Sequence, residues 1–413
     1  MSRPLPLSLY DAAMTLLEPL APGLLRARAR RGKEDPARIG ERLGHPGHPR
    51  PDGSLVWLHG VSVGETTSLL PLISALQHRR PDLTILVTSG TTTAADLLAT
   101  RLPPGVIHQY VPVDAPGAVR RFLDHWRPGL AVFVESELWP NLMLEAQDRG
   151  VHLALFSARM TSASANRWAR WPKSAHALVT AFQLILPQDD GTARRLGELG
   201  AITGGRLNLK LIGEPLPFDA AELERLRQGL AGRKVVLAAS THPGEEPLIA
   251  NAVRKAAPDA VLILAPRHPE RGSEIADMLG ASLRSRGEAL TTVHVADTLG
   301  ELGLFMRLAD VVVMGGSFVP GIGGHNPMEP ARLGRPILTG RYVFNAQDVY
   351  ADMFGAVCAI EARDGLALSR HVRGLLDNPA IARRMGEAAL AFAARQGAAL
   401  DQALAHLDPL LPR

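Results

Sequence analysis

The stretch Leu55-Val56-Trp57-Leu58-His59-Gly60-Val61-Ser62-Val63-Gly64-Glu65 decides the fold, because an apolar run passes through a glycine-containing loop into a helical pattern. The run from Leu55 to Leu58 is short and continuously apolar, which is typical of a buried parallel strand flanked by helices. The helix start presents unpaired backbone N–H groups and a partial positive charge, so an anion or an ionised carboxylate is favoured there.

Comparable apolar runs alternate with longer helical patterns along the rest of the chain. They stand at residues 83–87, 130–134, 152–156 and 184–186, and a second set stands at 235–238, 261–265, 311–314 and 337–339. The proline-broken stretch Gly213-Glu214-Pro215-Leu216-Pro217 separates the two sets and is suited to a linker. The pattern predicts an α/β fold with two Rossmann-like βαβ domains around a cleft, and ligands outside the carboxyl ends of the strands.

Length and composition fit this prediction. A chain of 413 residues exceeds what one hydrophobic core usually organises, and 46% apolar residues support two cores. The single cysteine, Cys358, lies in an apolar stretch, so we interpret it as buried packing in a chain without intrachain disulfides. Neither half carries G-x-G-x-x-G after its first strand, and no phosphate-binding P-loop motif occurs, which disfavours nicotinamide enzymes and P-loop NTPases.

The N-terminal region combines leucines with a basic cluster. Arg26, Arg28, Arg30, Arg31 and Lys33 follow these leucines without interleaved aromatic residues, which favours an anionic membrane surface over nucleic acid. Acidic residues and prolines interrupt the apolar stretch, so it predicts neither a spanning helix nor a secretory signal. We interpret residues 1–35 as a membrane-associating segment at the interface; an ordinary surface helix is the alternative.

Glu65 has two interpretations. The spacing Ser62-x-x-Glu65 is a capping-box pattern, in which the glutamate only satisfies a backbone donor. Alternatively, a carboxylate at a helix start stays ionised and acts as a general base toward a hydroxyl group.

A second acidic group follows the run 130–134, in Glu135-Ser136-Glu137-Leu138-Trp139-Pro140-Asn141. If the strand continues, Glu135 and Glu137 point the same way and repel one another unless a cation or water relieves them. Such a pair at a strand's carboxyl end favours a functional site, and a solvated turn closed by Pro140 is the alternative.

The second half contains several candidate ligand-binding segments. Gly315-Gly316-Ser317 and Gly321-Ile322-Gly323-Gly324 allow close backbone approach to a ligand, and Asn326-Pro327-Met328-Glu329 predicts an N-cap, a first helical proline and a third-position glutamate. Arg267 can bind a phosphate or carboxylate group through two hydrogen bonds. The alternative is a surface arginine without a ligand. The strand-to-helix junction from Ser240 and Thr241 to Glu246 predicts a further anion-binding site. His242 and His268 lack metal-ligand spacing, so we predict no bound metal.

Taken together, the motifs resemble the Kdo transferases, which move 3-deoxy-D-manno-octulosonic acid (Kdo) from CMP-Kdo onto the lipid A precursor. The resemblance is carried, in family order, by residues 57–65, 135–141, Asn208-Leu209-Lys210, Pro266-Arg267-His268-Pro269-Glu270-Arg271, Asp297-Thr298-Leu299-Gly300-Glu301-Leu302 and Gly315 to Glu329. It covers the chain from about Arg38 to the C-terminal helices.

The resemblance implies a GT-B glycosyltransferase in which residues 36–215 bind the acceptor and residues 216–413 bind CMP-Kdo. Transfer would be inverting and independent of metals and cofactors, in lipopolysaccharide biosynthesis at the cytoplasmic face of the bacterial inner membrane. Glu65 matches the catalytic base, and Glu135 and Lys210 match transition-state groups. The donor-binding segments correspond to Pro266 and Arg267, to Gly300, Glu301 and Leu302, and to Asn326, Pro327, Met328 and Glu329.

Some features of the chain depart from the family pattern. The N-terminal apolar stretch is less continuous than usual, the residues after Arg159 lack a common glutamate, and no aspartate follows Lys210. Two other functions stay open from the sequence: a nucleotide-sugar epimerase of similar two-domain shape, and a non-catalytic protein that binds a lipid surface.

Overall fold

The structure is a computed structural model that describes residues 3–136 and 138–413. It divides into two compact units. The first contains the chain up to Gly213 together with Gln396–Arg413, and the second is Glu214–Arg395. The division falls at the linker expected at residues 213–217. The tail from Gln396 onward belongs to the first unit, whereas the sequence interpretation assigned it to the second domain.

The first unit is built on a parallel sheet. Its strands are β1 (Leu55–His59), β2 (Thr84–Ser89), β3 (Ile107–Tyr110), β4 (Leu130–Val134), β5 (His152–Ala158) and β6 (Leu184–Pro187). Their order in the sheet is β3-β2-β1-β4-β5-β6, so the direction of winding reverses between β1 and β4. All five strands predicted for this half are confirmed; β3 was not predicted, because Ile107–Tyr110 mixes polar and apolar residues.

Helices cover both faces of this sheet. They are α1 (Leu5–Leu17), α2 (Ala21–Ala29), α3 (Ile39–Arg42), α4 (Val63–Arg79), α5 (Thr92–Arg101), α6 (Pro116–Trp126), α7 (Pro140–Asp148), α8 (Ser162–Trp168), α9 (Pro172–Val179) and α10 (Asp190–Glu198). Trp57, Phe122 and Phe133 are fully buried in the core on one face, and Leu69, Leu72 and Ile73 of α4 are buried on the other. This packing fixes the strand ends that carry the candidate site.

The N-terminal helices pack against the first unit through specific contacts. The hydroxyl of Tyr10 donates to Asp114 Oδ2 at 3.0 Å, and the backbone N–H of Gly117 donates to Glu18 Oε2 at 2.8 Å. Leu7 and Leu25 are buried. Leucines on the other side are exposed, namely Leu5, Leu9, Leu16, Leu17, Leu20 and Leu24. Across the described residues, none of the helices is both long and apolar enough to cross a bilayer.

The second unit is built on another parallel sheet. Its strands are β7 (Val235–Thr241), β8 (Val261–Pro266), β9 (Ser282–Leu283), β10 (Val293–Val295), β11 (Val311–Met314), β12 (Ile337–Thr339) and β13 (Ala359–Glu361). The order in the sheet is β13-β12-β11-β7-β8-β10-β9. All four predicted strands are confirmed. The short strands β9, β10 and β13 were missed, since two or three residues give too little pattern to recognise.

The helices of this unit are α11 (Ala220–Leu230), α12 (Glu245–Ala256), α13 (Gly272–Leu279), α14 (Leu302–Leu308), α15 (Met328–Ala331), α16 (Gln347–Gly355) and α17 (Gly365–Asp377). Helix α18 (Pro379–Leu407) begins in the second unit and ends in the first. Cys358 is buried as predicted, and burial raises the pKa of its thiol to about 11. Its side chain is therefore a packing group rather than a thiolate nucleophile.

Candidate active site

The candidate site of the first unit lies at the topological switch point of its sheet. Strands β1 and β4 are parallel neighbours, with Trp57 opposite Ala131 and His59 opposite Phe133. Glu65 follows β1 and Glu135 follows β4, so both carboxylates leave the same edge of the sheet. This is the position at which parallel α/β sheets bind ligands.

Glu65 has the geometry of a capping box. Ser62 is the N-cap of α4, and its Oγ accepts from the backbone N–H of Glu65 at 3.4 Å. Glu65 Oε2 accepts from the backbone N–H of Val61 at 2.6 Å, and its Oε1 accepts from the hydroxyl of Ser62 at 2.9 Å. A carboxylate has about four acceptor positions. Because these bonds use only part of them and Glu65 is half-buried, the cap and an accessible base are compatible.

Glu135 departs from the geometry expected from the sequence. Strand β4 ends at Val134, and Glu135 has a φ of 62°, which lies in the left-handed region. The strand therefore does not continue through Glu135, so the condition under which Glu135 and Glu137 would point the same way is not met; Glu137 lies outside the described residues. A non-glycine residue in this region is uncommon and costs energy, and such residues concentrate at functional sites.

Lys210 supplies the cation that a buried carboxylate needs. The Lys210 ammonium group forms an ion pair with Glu135 Oε1, and the Glu135 side chain is only 9% exposed. The short 3₁₀ turn Leu209–Leu211 holds Lys210 in place, since the backbone N–H of Leu209 donates to the hydroxyl of Ser157 at 2.8 Å. A methyl group built on Gly64 would lie 3.9 Å from Lys210 Cε. The structure thus brings Gly64, beside Glu65, together with Lys210 and Glu135.

In the second unit, one buried carboxylate organises the glycine-rich loop. Glu245, the first residue of α12, is fully buried. It accepts hydrogen bonds from the backbone N–H groups of His242, Gly316, Ser317 and Phe318, at 2.7 to 2.9 Å. Sequence reasoning did not single out Glu245. At the 240–246 junction, where an anion-binding site was expected, the Glu245 carboxylate of the protein itself accepts these hydrogen bonds.

The glycines of this loop serve close contacts within the chain. A side chain on Gly315 would lie 2.5 Å from the carbonyl oxygen of Ser240, and one on Gly316 would lie 2.9 Å from the His325 ring. Ser240 itself has a φ of 58°, and the hydroxyl of Thr241 donates to Glu246 Oε1 at 3.1 Å. These residues hold the ends of β7 and β11 together.

Two stacked histidines and one arginine lie at the loop that carries His325. The Nε2 atoms of His242 and His325 are 2.8 Å apart, and the rings are stacked. Burial, reinforced by His242 and Arg267, lowers the pKa of His325 to about 4. Arg267 is exposed just after Pro266, the last residue of β8, and its charge acts on His242, His325 and Glu329. The positive charge of Arg267 is therefore directed at the segment 325–329.

The segment Asn326-Pro327-Met328-Glu329 differs from its predicted helix start. Helix α15 begins at Met328 with Pro327 in the N-cap position, one residue later than expected. Asn326 still contributes, because its Oδ1 accepts from the backbone N–H of Met328 at 3.0 Å. Burial raises the pKa of Glu329, while Arg332 and Arg267 act in the opposite direction. Glu329 is thus a half-buried carboxyl group near a cation, the kind of group that clusters at functional sites.

The segment Gly300-Glu301-Leu302 precedes and begins α14. Gly300 has a φ of 84°, and Leu302 is the first residue of the helix. The Glu301 carboxylate is paired with Arg284, whose Nη2 and Nε donate at 2.5 and 3.0 Å, and the Arg284 guanidinium lowers the pKa of Glu301. Arg284 also bonds Glu222 of α11 at 2.7 Å. In the described structure the Glu301 side chain therefore ties this loop to α11.

Sequence comparisons identify the relatives of the chain. Residues 37–210 match the model of the 3-deoxy-D-manno-octulosonic-acid transferase (kdotransferase) family. A probable mitochondrial 3-deoxy-D-manno-octulosonic acid transferase of Arabidopsis thaliana is 37% identical, over 90% of this chain and 88% of its own length. The 3-deoxy-D-manno-octulosonic acid transferase of Rickettsia bellii is 33% identical, over 98% of this chain and 99% of its own. The chain belongs to the Kdo transferase family.

A structural comparison agrees with the predicted fold. A glycosyltransferase from Rickettsia africae, 9% identical, superimposes with a TM-score of 0.59 over 87% of this chain and 99% of its own. At that identity the likeness concerns the fold alone. The predicted GT-B type fold, with two Rossmann-like units, is confirmed. Transfer of Kdo is favoured over the epimerase alternative because Kdo transferases match this chain over most of its length.

No group of three or more His, Cys, Asp or Glu side chains within 3–136 and 138–413 is placed to hold a metal ion. Cationic groups of the protein lie at the candidate sites: Lys210 at the first and Arg267 at the second.

Proposed function

We propose that the protein transfers Kdo from CMP-Kdo to a hydroxyl group of a lipid A precursor, with inversion at the anomeric carbon. Family membership supports Kdo transfer. The observation that carries the proposal is the convergence of Glu65, Glu135 and Lys210 at one sheet edge. Two carboxylates and one ammonium group, which the chemistry requires, lie together where parallel α/β sheets bind ligands.

Glu65 is the proposed general base. As the acceptor oxygen attacks the anomeric carbon of Kdo, Glu65 removes the hydroxyl proton, and the bond to the CMP phosphate breaks with its electron pair leaving on CMP. Attack opposite to the leaving group inverts the configuration. The hydrogen bonds from Val61 and Ser62 fix the orientation of the carboxylate. General-base catalysis of this kind is typically worth on the order of 10²–10⁴ in rate.

Glu135 and Lys210 are proposed to stabilise the transition state. The Kdo ring gains positive charge as the donor bond breaks, and a buried carboxylate held by a partner cation is a preorganised group for such a change. Lys210 is 46% exposed on its side chain, so its ammonium group retains donors for substrate oxygens beyond the bond to Glu135.

We propose that CMP-Kdo binds to the second unit. Arg267 would pair with the anionic part of the donor, and Glu329 would accept hydrogen bonds from nucleotide hydroxyl groups. The backbone of Pro266, Gly300 to Leu302 and Asn326 to Met328 would line the nucleotide. The backbone N–H groups of Gly316 and Ser317 already donate to the Glu245 carboxylate. Gly316 and Ser317 would therefore shape the site rather than donate to the phosphate.

The same proposal includes independence from metal ions and cofactors, with CMP-Kdo as a substrate. Lys210 and Arg267 supply positive charge at the places where anionic groups would bind. Full activity in the presence of excess EDTA is the expected result, and restoration of a lost activity by Mg²⁺ would contradict it.

We further propose a peripheral position at the cytoplasmic face of the bacterial inner membrane. The exposed Leu16, Leu20 and Leu24 stand beside the exposed cations Arg26 and Arg30. Apolar side chains next to basic ones are what an anionic bilayer surface binds. The lipid acceptor would be recruited from that surface.

One experiment tests the proposed function directly. The purified protein is incubated with CMP-Kdo and a tetraacylated lipid A precursor, and the lipid product is weighed by mass spectrometry. A mass increase that requires both substrates supports the proposal. CMP-Kdo binding without turnover would instead support a non-catalytic lipid-surface protein, and conversion of a soluble sugar nucleotide without any lipid would support an epimerase.

A further inference from the structure

Strand β5 carries one extra residue close to its carboxyl end. Leu155 lies opposite Ile185 of β6, and Ala158 lies opposite Pro187, so three steps along β5 match two steps along β6. Ser157 lies within this bulge, is buried and has a φ of 50°. A serine in the left-handed region is uncommon and costs energy. Bulges are rare between parallel strands and are frequent beside active sites, where they redirect a side chain.

The same bulge holds the backbone of Glu135 on the other side of β5. The N–H group of Glu135 donates to the carbonyl oxygen of Phe156 at 3.1 Å, and the carbonyl oxygen of Glu135 accepts from the N–H group of Arg159 at 3.2 Å. In a regular parallel pair, the two partners of one residue are two positions apart on the neighbouring strand. Here they are three positions apart, so the left-handed backbone of Glu135 is bonded on both sides of Ser157.

The side chain of Ser157 contacts the segment that carries Lys210. The Oγ atom of Ser157 accepts from the backbone N–H of Leu209 at 2.8 Å. Leu209 is fully buried, and a buried N–H group without a partner is costly, so this bond constrains the turn. The next residue is Lys210, whose ammonium group pairs with Glu135. One serine is therefore connected to both members of the ion pair.

We propose that Ser157 is a positioning residue for transfer, which sets the geometry of the Glu135–Lys210 pair from both sides. The inference rests on the proposed function, in which that pair stabilises the transition state. The Ser157 hydroxyl fixes the turn at Leu209 and the bulge fixes the backbone of Glu135, so the two charged groups are preorganised. This role explains why a serine occupies a left-handed position. A glycine would remove the conformational penalty but also the hydroxyl group.

Two substitutions separate the hydroxyl group from the backbone strain. Ser157→Ala and Ser157→Gly both remove the hydroxyl, but only glycine adopts a positive φ without penalty. We expect both to lower kcat about tenfold or more, with KM for CMP-Kdo and for the acceptor within about twofold of wild type, because displaced catalytic groups slow the reaction step. Thermal unfolding should show that Ser157→Gly is more stable than Ser157→Ala. Wild-type kcat in Ser157→Gly would overturn the proposal.

Ser282→Ala in the second unit is the matched control. Ser282 is also buried, and its Oγ accepts from the backbone N–H of Thr291 at 3.4 Å. This variant should lose stability without losing kcat. A fall in kcat as large as that of Ser157→Ala would show that lost stability alone lowers kcat, and it would overturn the proposal.

A double-variant comparison shows whether Ser157 acts through Lys210. In a Lys210→Met background, Ser157→Gly should change kcat by less than about twofold, since the group that it positions is gone. The same loss of kcat with and without Lys210 would mean that Ser157 acts independently of the ion pair. That result would overturn the proposal.

A spectroscopic measurement follows the ion pair without the reaction. The chain has five lysines, so reductive ¹³C-methylation gives few NMR signals, and the Lys210 signal is the one lost in Lys210→Met. Glu135→Gln, which removes the partner carboxylate, gives the signal of an unpaired Lys210. Ser157→Gly should move the wild-type signal toward that position, and an unmoved signal would overturn the proposal. If the signal moves but the wild-type protein never transfers Kdo, the proposed function alone is refuted.

Discussion

The Lys210 ammonium group pairs with the carboxylate of Glu135, a residue whose backbone has left the strand and turned into the left-handed region. The two residues are far apart in the sequence, and the 3₁₀ turn at Leu209–Leu211 brings them together. The cation of Lys210 compensates a glutamate that has a strained backbone conformation and a side chain only 9% exposed.

The pair predicts a non-additive loss of activity. We expect Lys210→Met to lower kcat about 100-fold, the scale of losing one preorganised electrostatic group. Glu135→Gln should give a comparable loss, and the double variant should be little worse than either single one. Lys210→Met should also lower the free energy of unfolding more than Glu135→Gln does, because it leaves the Glu135 carboxylate, whose side chain is 9% exposed, without the Lys210 cation. Fully additive losses in kcat would show that the two groups act independently.

Glu65→Gln separates the base from the helix cap. We expect transfer to fall by a factor on the order of 10²–10⁴ while CMP-Kdo binding stays near the wild-type value, because an amide cannot accept the acceptor's proton. Ser62→Ala is the comparison variant: it removes the N-cap at a cost of about 1 kcal/mol and one hydrogen bond to the Glu65 carboxylate, but it leaves the base itself and the bond from Val61, so its rate should fall far less than that of Glu65→Gln. Rates and melting temperatures of both variants are compared. Near-normal turnover in Glu65→Gln would restrict Glu65 to capping.

Glu245→Gln tests the support of the glycine-rich loop. In the wild type, backbone N–H groups donate to both oxygens of the Glu245 carboxylate. Glutamine would place an NH₂ group, which is itself a donor, against some of these N–H groups. We therefore expect the free energy of unfolding to fall by about 2 to 4 kcal/mol. Protection against heat by CMP should fall as the loop shifts. Glu270→Gln is the control, because its side chain is 74% exposed. Equal denaturation midpoints for the two variants would contradict the role assigned to Glu245.

The sequence predicts the strands of both sheets well where the runs are apolar and continuous, as at Leu130–Val134 and Val311–Met314, because burial on both faces leaves a clear pattern. The resemblance to the family implied roles for Glu135 and Lys210, but their pairing was not predicted, since long-range contacts leave no local signal in the sequence. Glu245 looks like an ordinary first-turn acid of a helix. The role of Glu245 is seen only in the folded structure, where the backbone N–H groups of Gly316 and Ser317 donate to its carboxylate.

Membrane association is best tested by point substitutions, because Leu7, Tyr10 and Leu25 pack into the first unit and deletion of the helices would expose the core. We expect Leu16→Gln, Leu20→Gln and Leu24→Gln together to release the protein from anionic liposomes in flotation assays. Activity on detergent-solubilised acceptor should be retained. Replacing the exposed Leu366 and Leu390 of the second unit is the control, and unchanged flotation of the triple variant would exclude this surface.

Glu329 is proposed to bind the donor, and the pH dependence of thermal stability separates that role from a structural one. Burial raises the pKa of Glu329 above its unfolded value, so its contribution to stability is complete below about pH 4 and is lost as pH rises through the folded-state pKa. At pH 7 the ionised group is a net cost. We therefore expect Glu329→Gln to melt at or above the wild-type temperature at pH 7, with that advantage gone at pH 4.

The same Glu329→Gln variant and Arg267→Ala should both bind CMP at least tenfold more weakly, because each loses a charge-assisted bond. Isothermal titration with CMP, beside thermal unfolding with and without CMP, measures both properties. Acceptor KM should be unchanged, since the lipid is assigned to the first unit. If CMP raises the melting temperature of wild type and both variants equally, the two side chains do not contact the nucleotide and only the loop backbone binds it.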